Sequence, residues 1–121
     1  MNYKNDIEEA KVTRLNAYLL YSNFQVGAFL RCKDGTTYSG CNLENQGIQG
    51  ICAERTAFVK ALSQGKREFE SIAIVGAKKG ETPLEKCMPC GYCGQFMNEF
   101  VDENFKFIFE NNGELIIYTI T

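Results

Sequence analysis

Cys52-Ala53-Glu54-Arg55-Thr56-Ala57 and, further along, Pro89-Cys90-Gly91-Tyr92-Cys93 decide how this chain is read. Together they offer three thiols for one metal ion and a carboxylate, Glu54, two residues from the first thiol. A purely structural zinc site has no use for that carboxylate. A zinc ion that activates water does need one, because the proton of the water must be carried to the substrate. Cys90 and Cys93 stand three apart at a predicted helix start, so they share one face and can share an ion. Cys52 stands at the start of another predicted helix. Helix N-termini carry partial positive charge and free N–H groups, which favour thiolates by roughly 0.3–1 kcal/mol per charge at exposed sites. Three thiolates leave zinc one open corner, the arrangement of a catalytic site. They also weaken zinc as a Lewis acid, and Arg55, one turn from Cys52, is the candidate for charge compensation.

A closed, structural site built from four cysteines is the competing reading. Cys87-Met88-Pro89-Cys90 is itself a Cys-x-x-Cys pair, and Cys41 or Cys32 could contribute. Against it stand Glu54 and the single, unmatched Cys52, since such sites usually offer two matched pairs. Taken separately, Cys32, Cys41 and Cys87 read as small buried or partly exposed thiols.

The rest of the composition narrows the classes. The 121 residues suit one domain spanning 1–121, and a 45% hydrophobic content supports a single core. Net charge is −2, with Lys and Arg scattered singly among Asp and Glu, so no nucleic-acid partner is expected. No apolar run is long enough for a membrane span. Met1-Asn2-Tyr3-Lys4-Asn5-Asp6 lacks the apolar stretch of a secretory signal, so a cytoplasmic location is expected. Cytosolic thiols stay reduced, which favours metal binding over disulfides for the six cysteines. There is no His at all, so ligands must be Cys or carboxylate, and no His serves as general acid or base.

Apolar spacing at Ile7, Ala10, Val12, Leu15, Ala17, Tyr18 and Leu19 predicts a helix from about Asn5 to Tyr21, capped by Asn5 or Asp6. Val26–Leu30 and Thr36–Cys41 read as strands joined by the turn Lys33-Asp34-Gly35. Asn42 to Gly50 reads as a loop. A second helix opens at Ile51 or Cys52 and runs to Ser63, with Gly65 as its stop. Ser71–Gly76 is a buried strand, and a third helix runs from Cys90 to about Val101. Phe105–Phe109 and Leu115–Ile120 are strands, with Asn111-Asn112-Gly113 as a hairpin signal. The order αββαβαββ predicts an α/β fold, a sheet covered by helices.

These blocks bring a family into view. The chain resembles the small homotetrameric zinc-dependent cytidine deaminases over nearly its whole length. Four segments carry the likeness: Tyr21-Ser22-Asn23-Phe24-Gln25-Val26-Gly27-Ala28, Gly40-Cys41-Asn42-Leu43-Glu44-Asn45, Cys52-Ala53-Glu54-Arg55-Thr56-Ala57 and Pro89-Cys90-Gly91-Tyr92-Cys93-Gly94-Gln95. The resemblance implies a three-layer fold with a five-stranded mixed sheet. It implies one Zn2+ per chain on Cys52, Cys90 and Cys93, with Glu54 as proton shuttle. It places Phe24 beside the pyrimidine, Asn42 and Glu44 on the ribose hydroxyls, and the Ala53 N–H on the base carbonyl. The Met88 carbonyl would receive the departing amino group. The residue types agree: a flat ring suits a ring-shaped ligand, and an amide with a carboxylate suits two hydroxyls.

The implied activity is hydrolytic deamination of cytidine and deoxycytidine to uridine and deoxyuridine, as in pyrimidine salvage. The sequence also departs from the family pattern. Gly94 stands where Arg is common, leaving Arg55 alone beside the thiolates. Tyr92 replaces a small residue, and Leu20 and Gln25 replace Pro. The loop from Gln46 to Ile51 is one residue short and lacks an aromatic residue, and the apolar tail common in the family is missing after Thr121. These changes fall on substrate enclosure and subunit contacts. They keep open a deaminase of another amino-heterocycle, such as a modified cytosine nucleoside or a nucleoside antibiotic. A non-catalytic zinc-stabilised paralogue is the third reading. A homo-oligomer is expected, a tetramer or a dimer.

Overall fold

The computed structural model describes residues 3–19, 23–44, 52–81, 97 and 99–119. Their order is α1 (Tyr3–Thr13), a 3-10 turn (Arg14–Asn16), β1 (Phe24–Cys32), β2 (Thr37–Cys41), α2 (Ala53–Ser63), β3 (Phe69–Lys78), β4 (Lys106–Asn111) and β5 (Glu114–Thr119). The five strands form one sheet in the order β2-β1-β3-β4-β5. β1 runs antiparallel to β2 and β3, β3 runs parallel to β4, and β4 runs antiparallel to β5. The element order predicts this α/β class, and the family resemblance implies this mixed five-stranded sheet.

Strand alternation builds the layers. Ala28 and Leu30 of β1, Ile72 and Ile74 of β3, and Phe109 of β4 pack with Ala57, Phe58 and Ala61 of α2. The residues between them, Ala73, Val75 and Ile108, pack with Ile7 and Ala10 of α1. The two helices therefore lie on opposite faces of the sheet. Phe58 anchors α2, with its ring 4.9 Å from that of Phe69 in an edge-on arrangement. On the other face, the buried Asp6 carboxylate accepts from Arg31 Nη2 at 2.7 Å and Nε at 3.2 Å. Asp6 is thus an ion-pair partner inside α1 and not the cap expected for it.

Turn chemistry is read directly from the residues. Asn112 (φ 52°) and Gly113 (φ 85°) both take the left-handed conformation, the two-residue turn whose twist suits a hairpin. α2 ends at Gly65 (φ 85°), where Gly65 N–H donates to Leu62 O at 3.0 Å and Lys66 N–H donates to Ala61 O at 3.0 Å. That is a Schellman ending, which satisfies carbonyls the helix would leave unpaired.

Two helix boundaries differ from expectation. The first helix stops at Thr13 and not near Tyr21. Beyond the 3-10 turn, Tyr18 pairs with Leu43 in a parallel bridge, so a tertiary strand contact overrides the helical spacing. Leu15 and Tyr18, 61% and 58% exposed, do not supply the helical core stripe their spacing suggested. The third helix, from Cys90, falls almost wholly outside the described residues. Met97 is helical and fully buried, but Glu99 and Phe100 already form a turn, short of the expected end at Val101. Just beyond, the Asp102 side chain accepts from Asn104 N–H at 2.9 Å, a local bond that competes with continuing a helix.

Candidate active site

The N-terminus of α2 is pressed onto β2. A Cβ on Gly40 would stand 2.5 Å from the Ala53 carbonyl oxygen and 2.6 Å from the Ala57 nitrogen, so only glycine lets the backbones meet. Thr56 completes the seam. Its Oγ1 donates to the Cys41 carbonyl at 3.2 Å or to the Cys52 carbonyl at 3.1 Å, one hydroxyl hydrogen facing two acceptors. The Thr56 N–H donates to Cys52 O at 3.0 Å, closing the first turn.

Cys52 is the N-cap residue, with extended backbone (φ −73°, ψ 155°) and no side-chain capping bond. Its thiol stands at a helix N-terminus without serving as the cap, and the residue is half-buried. A cap position normally takes an oxygen-bearing side chain. A sulfur there fits a metal donor better than it fits a cap. Ala53 is fully buried at the first helical position, where a backbone N–H has no intrahelical acceptor. Glu54, in the same turn, is only 4% exposed. Burying a carboxylate is costly without a specific partner or task. Arg55, half-buried, follows it in the same turn.

Phe24 opens β1 in step with Val26, Ala28 and Leu30, the residues that face α2. At 40% exposed it is not a core residue, although its residue type alone favours that reading. Asn42 and Glu44 follow β2, both half-buried. The structure thus puts Phe24, Asn42, Glu44, Cys52, Ala53, Glu54 and Arg55 on strand and helix ends around one stretch of the sheet. Cys90, Cys93, Met88, Tyr92, Gly94 and Cys87 lie outside the described residues, as does the loop from Gln46 to Ile51.

The remaining described cysteines behave as ordinary thiols. Cys32 is 2% exposed in the core, and Cys41 is half-buried in β2. Burial pushes both thiols up, which holds them in the neutral form. Among the described residues, no three Cys, Asp or Glu side chains gather as a metal-holding group. Cys32 and Cys41 therefore do not build such a group with Cys52.

A family model for the cytidine and deoxycytidylate deaminase zinc-binding region matches residues 2–109. The chain belongs to the cytidine deaminase family. It is 46% identical over 101 residues to a cytidine deaminase of Sporosarcina psychrophila, covering 83% of this chain and 71% of the relative. It is 30% identical over 121 residues to a blasticidin-S deaminase of Bacillus cereus, covering 95% and 86%. A crystal structure of a cytidine deaminase from Burkholderia pseudomallei superposes with a TM-score of 0.87 at 39% identity, covering 98% of this chain and 93% of that one. The family is a zinc-binding one, and Zn2+ is the cofactor.

Sequence reading passed over Arg14. It is 5% exposed, and Nη1 donates to Gln25 Oε1 at 3.0 Å and to the Ala77 carbonyl at 3.4 Å, while Nη2 donates to the Glu81 carbonyl. Beside it, a Cβ on Gly27 would stand 2.0 Å from Ala10 O and 2.7 Å from Arg14 N. Arg14 thus clamps Gln25, the residue next to Phe24, to its β3 register partner Ala77 and to Glu81 just beyond that strand. An arginine in an otherwise amphipathic helix gives no hint of this from spacing alone.

Proposed function

We propose that this protein is a Zn2+-dependent hydrolase that converts cytidine and deoxycytidine to uridine and deoxyuridine. Water adds at the ring carbon that bears the amino group, the carbon–nitrogen bond breaks, and ammonia leaves. One water is consumed for each ammonia released. Membership of the cytidine deaminase family supports the reaction. The single observation that carries it is Glu54, buried to 4% exposure in the first turn of a helix whose cap is Cys52.

Cys52, Cys90 and Cys93 hold the ion, one per chain, with Arg55 offsetting the thiolate charge. When bound, Zn2+ supplies the polarisation that lets water attack near neutral pH. Glu54 takes a proton from the attacking water and returns it to the ring nitrogen, then helps the amino group leave as the neutral molecule. Its burial keeps bulk water from competing for that proton. Phe24 lies flat against the pyrimidine, and the Ala53 N–H donates to the base carbonyl. Asn42 and Glu44 hold the sugar hydroxyls.

Residues 1–121 act as one domain; the single sheet shared by all five strands supports this. We further read the protein as a cytoplasmic homo-oligomer of pyrimidine salvage with no nucleic-acid partner. The net charge of −2 argues against a nucleic-acid partner. Among the described residues no helix is long and apolar enough to cross a membrane. The likeness to a blasticidin-S deaminase favours a second reading, deamination of another amino-heterocycle such as blasticidin S.

The test is a substrate panel with zinc-loaded protein, following ultraviolet absorbance and released ammonia. Turnover of cytidine or deoxycytidine is expected. Turnover of blasticidin S alone moves the assignment to the second reading. No turnover of any amino-pyrimidine overturns both.

A further inference from the structure

β1 and β2 pair antiparallel from Arg31↔Thr37 to Gly27↔Cys41. Continued, that register sets Asn42 opposite Val26 and Glu44 opposite Phe24. The chain does not follow it. Asn42 N–H still donates to Val26 O at 3.3 Å, but the Asn42 carbonyl accepts from Tyr18 N–H at 3.1 Å. Two residues on, Glu44 N–H donates to Tyr18 O at 2.8 Å. The backbone has left β1 for residues 17–19. The bonds that Val26 N–H and Phe24 C=O would have made to it are vacated.

The Asn42 side chain takes both. Its Oδ1 accepts from Val26 N–H at 2.9 Å, and its Nδ2 donates to the Phe24 carbonyl at 3.0 Å. A primary amide carries donor and acceptor on one planar group, so it copies a peptide unit; a carboxylate cannot donate. We propose that Asn42 is a positioning residue, a splice that fixes Phe24 on the sheet while steering Glu44 away from it. The splice sets the gap between the ring that faces the base and the groups that face the sugar. The inference rests on the site assignment above for Phe24 and Glu44. It adds a duty for Asn42 that does not require touching the sugar. The amide keeps one N–H and one acceptor lobe for a hydroxyl, so the two duties are compatible.

Two measurements test it on the zinc-loaded protein. The first is amide hydrogen exchange without ligand. In Asn42→Ala the Val26 N–H should exchange about tenfold faster or more, the factor expected for losing a net hydrogen bond, while Ile72 and Ile74 in β3 stay unchanged. The second compares wild type, Asn42→Asp and Asn42→Ala with cytidine and with 2′,3′-dideoxycytidine as the hydroxyl-free probe. A positioning role predicts a fall of about tenfold or more in kcat/KM for cytidine and a matching weakening of dideoxycytidine inhibition, with kcat itself reduced. Asn42→Asp, which keeps the Val26 bond and loses the Phe24 bond, should fall between the other two in exchange. Unchanged Val26 exchange overturns the splice. A loss confined to cytidine, with dideoxycytidine inhibition intact, assigns Asn42 to the sugar alone and overturns the positioning role. Faster Val26 exchange in a protein whose wild type is inert to cytidine supports the splice and overturns the substrate assignment.

Discussion

Gly40 of β2 lies so close to Ala53 of α2 that an added methyl would stand 2.5 Å from the Ala53 carbonyl oxygen. The obstructing atoms are helix backbone, which cannot swing aside. Gly40→Ala should therefore push the helix start outward. Overpacking of this kind costs about 1–3 kcal/mol, readable as a lower urea midpoint. Because Cys52 and Glu54 ride on that turn, kcat should fall with stability. Gly35→Ala is the control: nothing lies within 4 Å of it, and its φ of 92° costs backbone strain alone, about 1–2 kcal/mol. Its kcat should stay at the wild-type value.

Glu54→Gln separates metal binding from proton transfer. The variant keeps the shape of the side chain and should hold about one zinc per chain by metal analysis. It loses the group that accepts a proton, so kcat should fall by about 10²–10⁴-fold. Wild-type turnover in this variant would remove Glu54 from the chemistry.

Much of this was legible because it depends on short spacings. The Asn112-Gly113 turn, the Gly65 helix stop and the Cys52–Glu54 block are each local, and each stands where residue type alone predicts. What stayed hidden depends on partners far along the chain. Tyr18 leaves a helical pattern because Leu43 offers it a strand partner. Arg14 is buried by contacts 11 to 67 residues away. Asn42 shows its residue type but not that β2 parts from β1 at that point. The likeness to a family named Asn42 as a candidate, and only the register shows which backbone groups its side chain holds.

Arg14→Met tests the hidden brace. Methionine fills the space but donates nothing, so the Gln25 side chain and the Ala77 and Glu81 carbonyls lose a buried donor. Each orphaned group costs about 1–3 kcal/mol when water cannot replace the bond. A loss of several kcal/mol in chemical denaturation is expected. Arg14→Lys should recover part of it, since one ammonium can reach only some of the three acceptors.

The acid side of the stability curve should carry the mark of Asp34. Lys66 Nζ lies 2.8 Å from its Oδ2, and Thr36 donates to Oδ1 from N–H at 3.0 Å and from Oγ1 at 2.6 Å. Lys66 first and Thr36 second hold its carboxyl well below the usual aspartate range. A lowered folded-state pKa adds stability that is complete above the unfolded value, about 3.9, and is lost as pH falls below it. The Tm gap between wild type and Asp34→Asn should be open at pH 6 and narrow steadily from about pH 4 downward. A gap independent of pH would show that the ion pair contributes nothing. Added salt should shrink it too, since the pair is at the surface.

β3 and β4 run the same way, which two strands joined by a tight turn cannot do. Every other neighbouring pair in the sheet runs antiparallel. The stretch that carries Cys90 and Cys93 lies between β3 and β4 in the chain. On the ribosome, Cys52 and Glu54 emerge well before the strand that completes the sheet beyond that stretch. Long-range pairings of this kind form slowly. If Cys90 and Cys93 join Cys52 on one ion, as proposed, the ligand set is complete only once β4 has found its place beside β3.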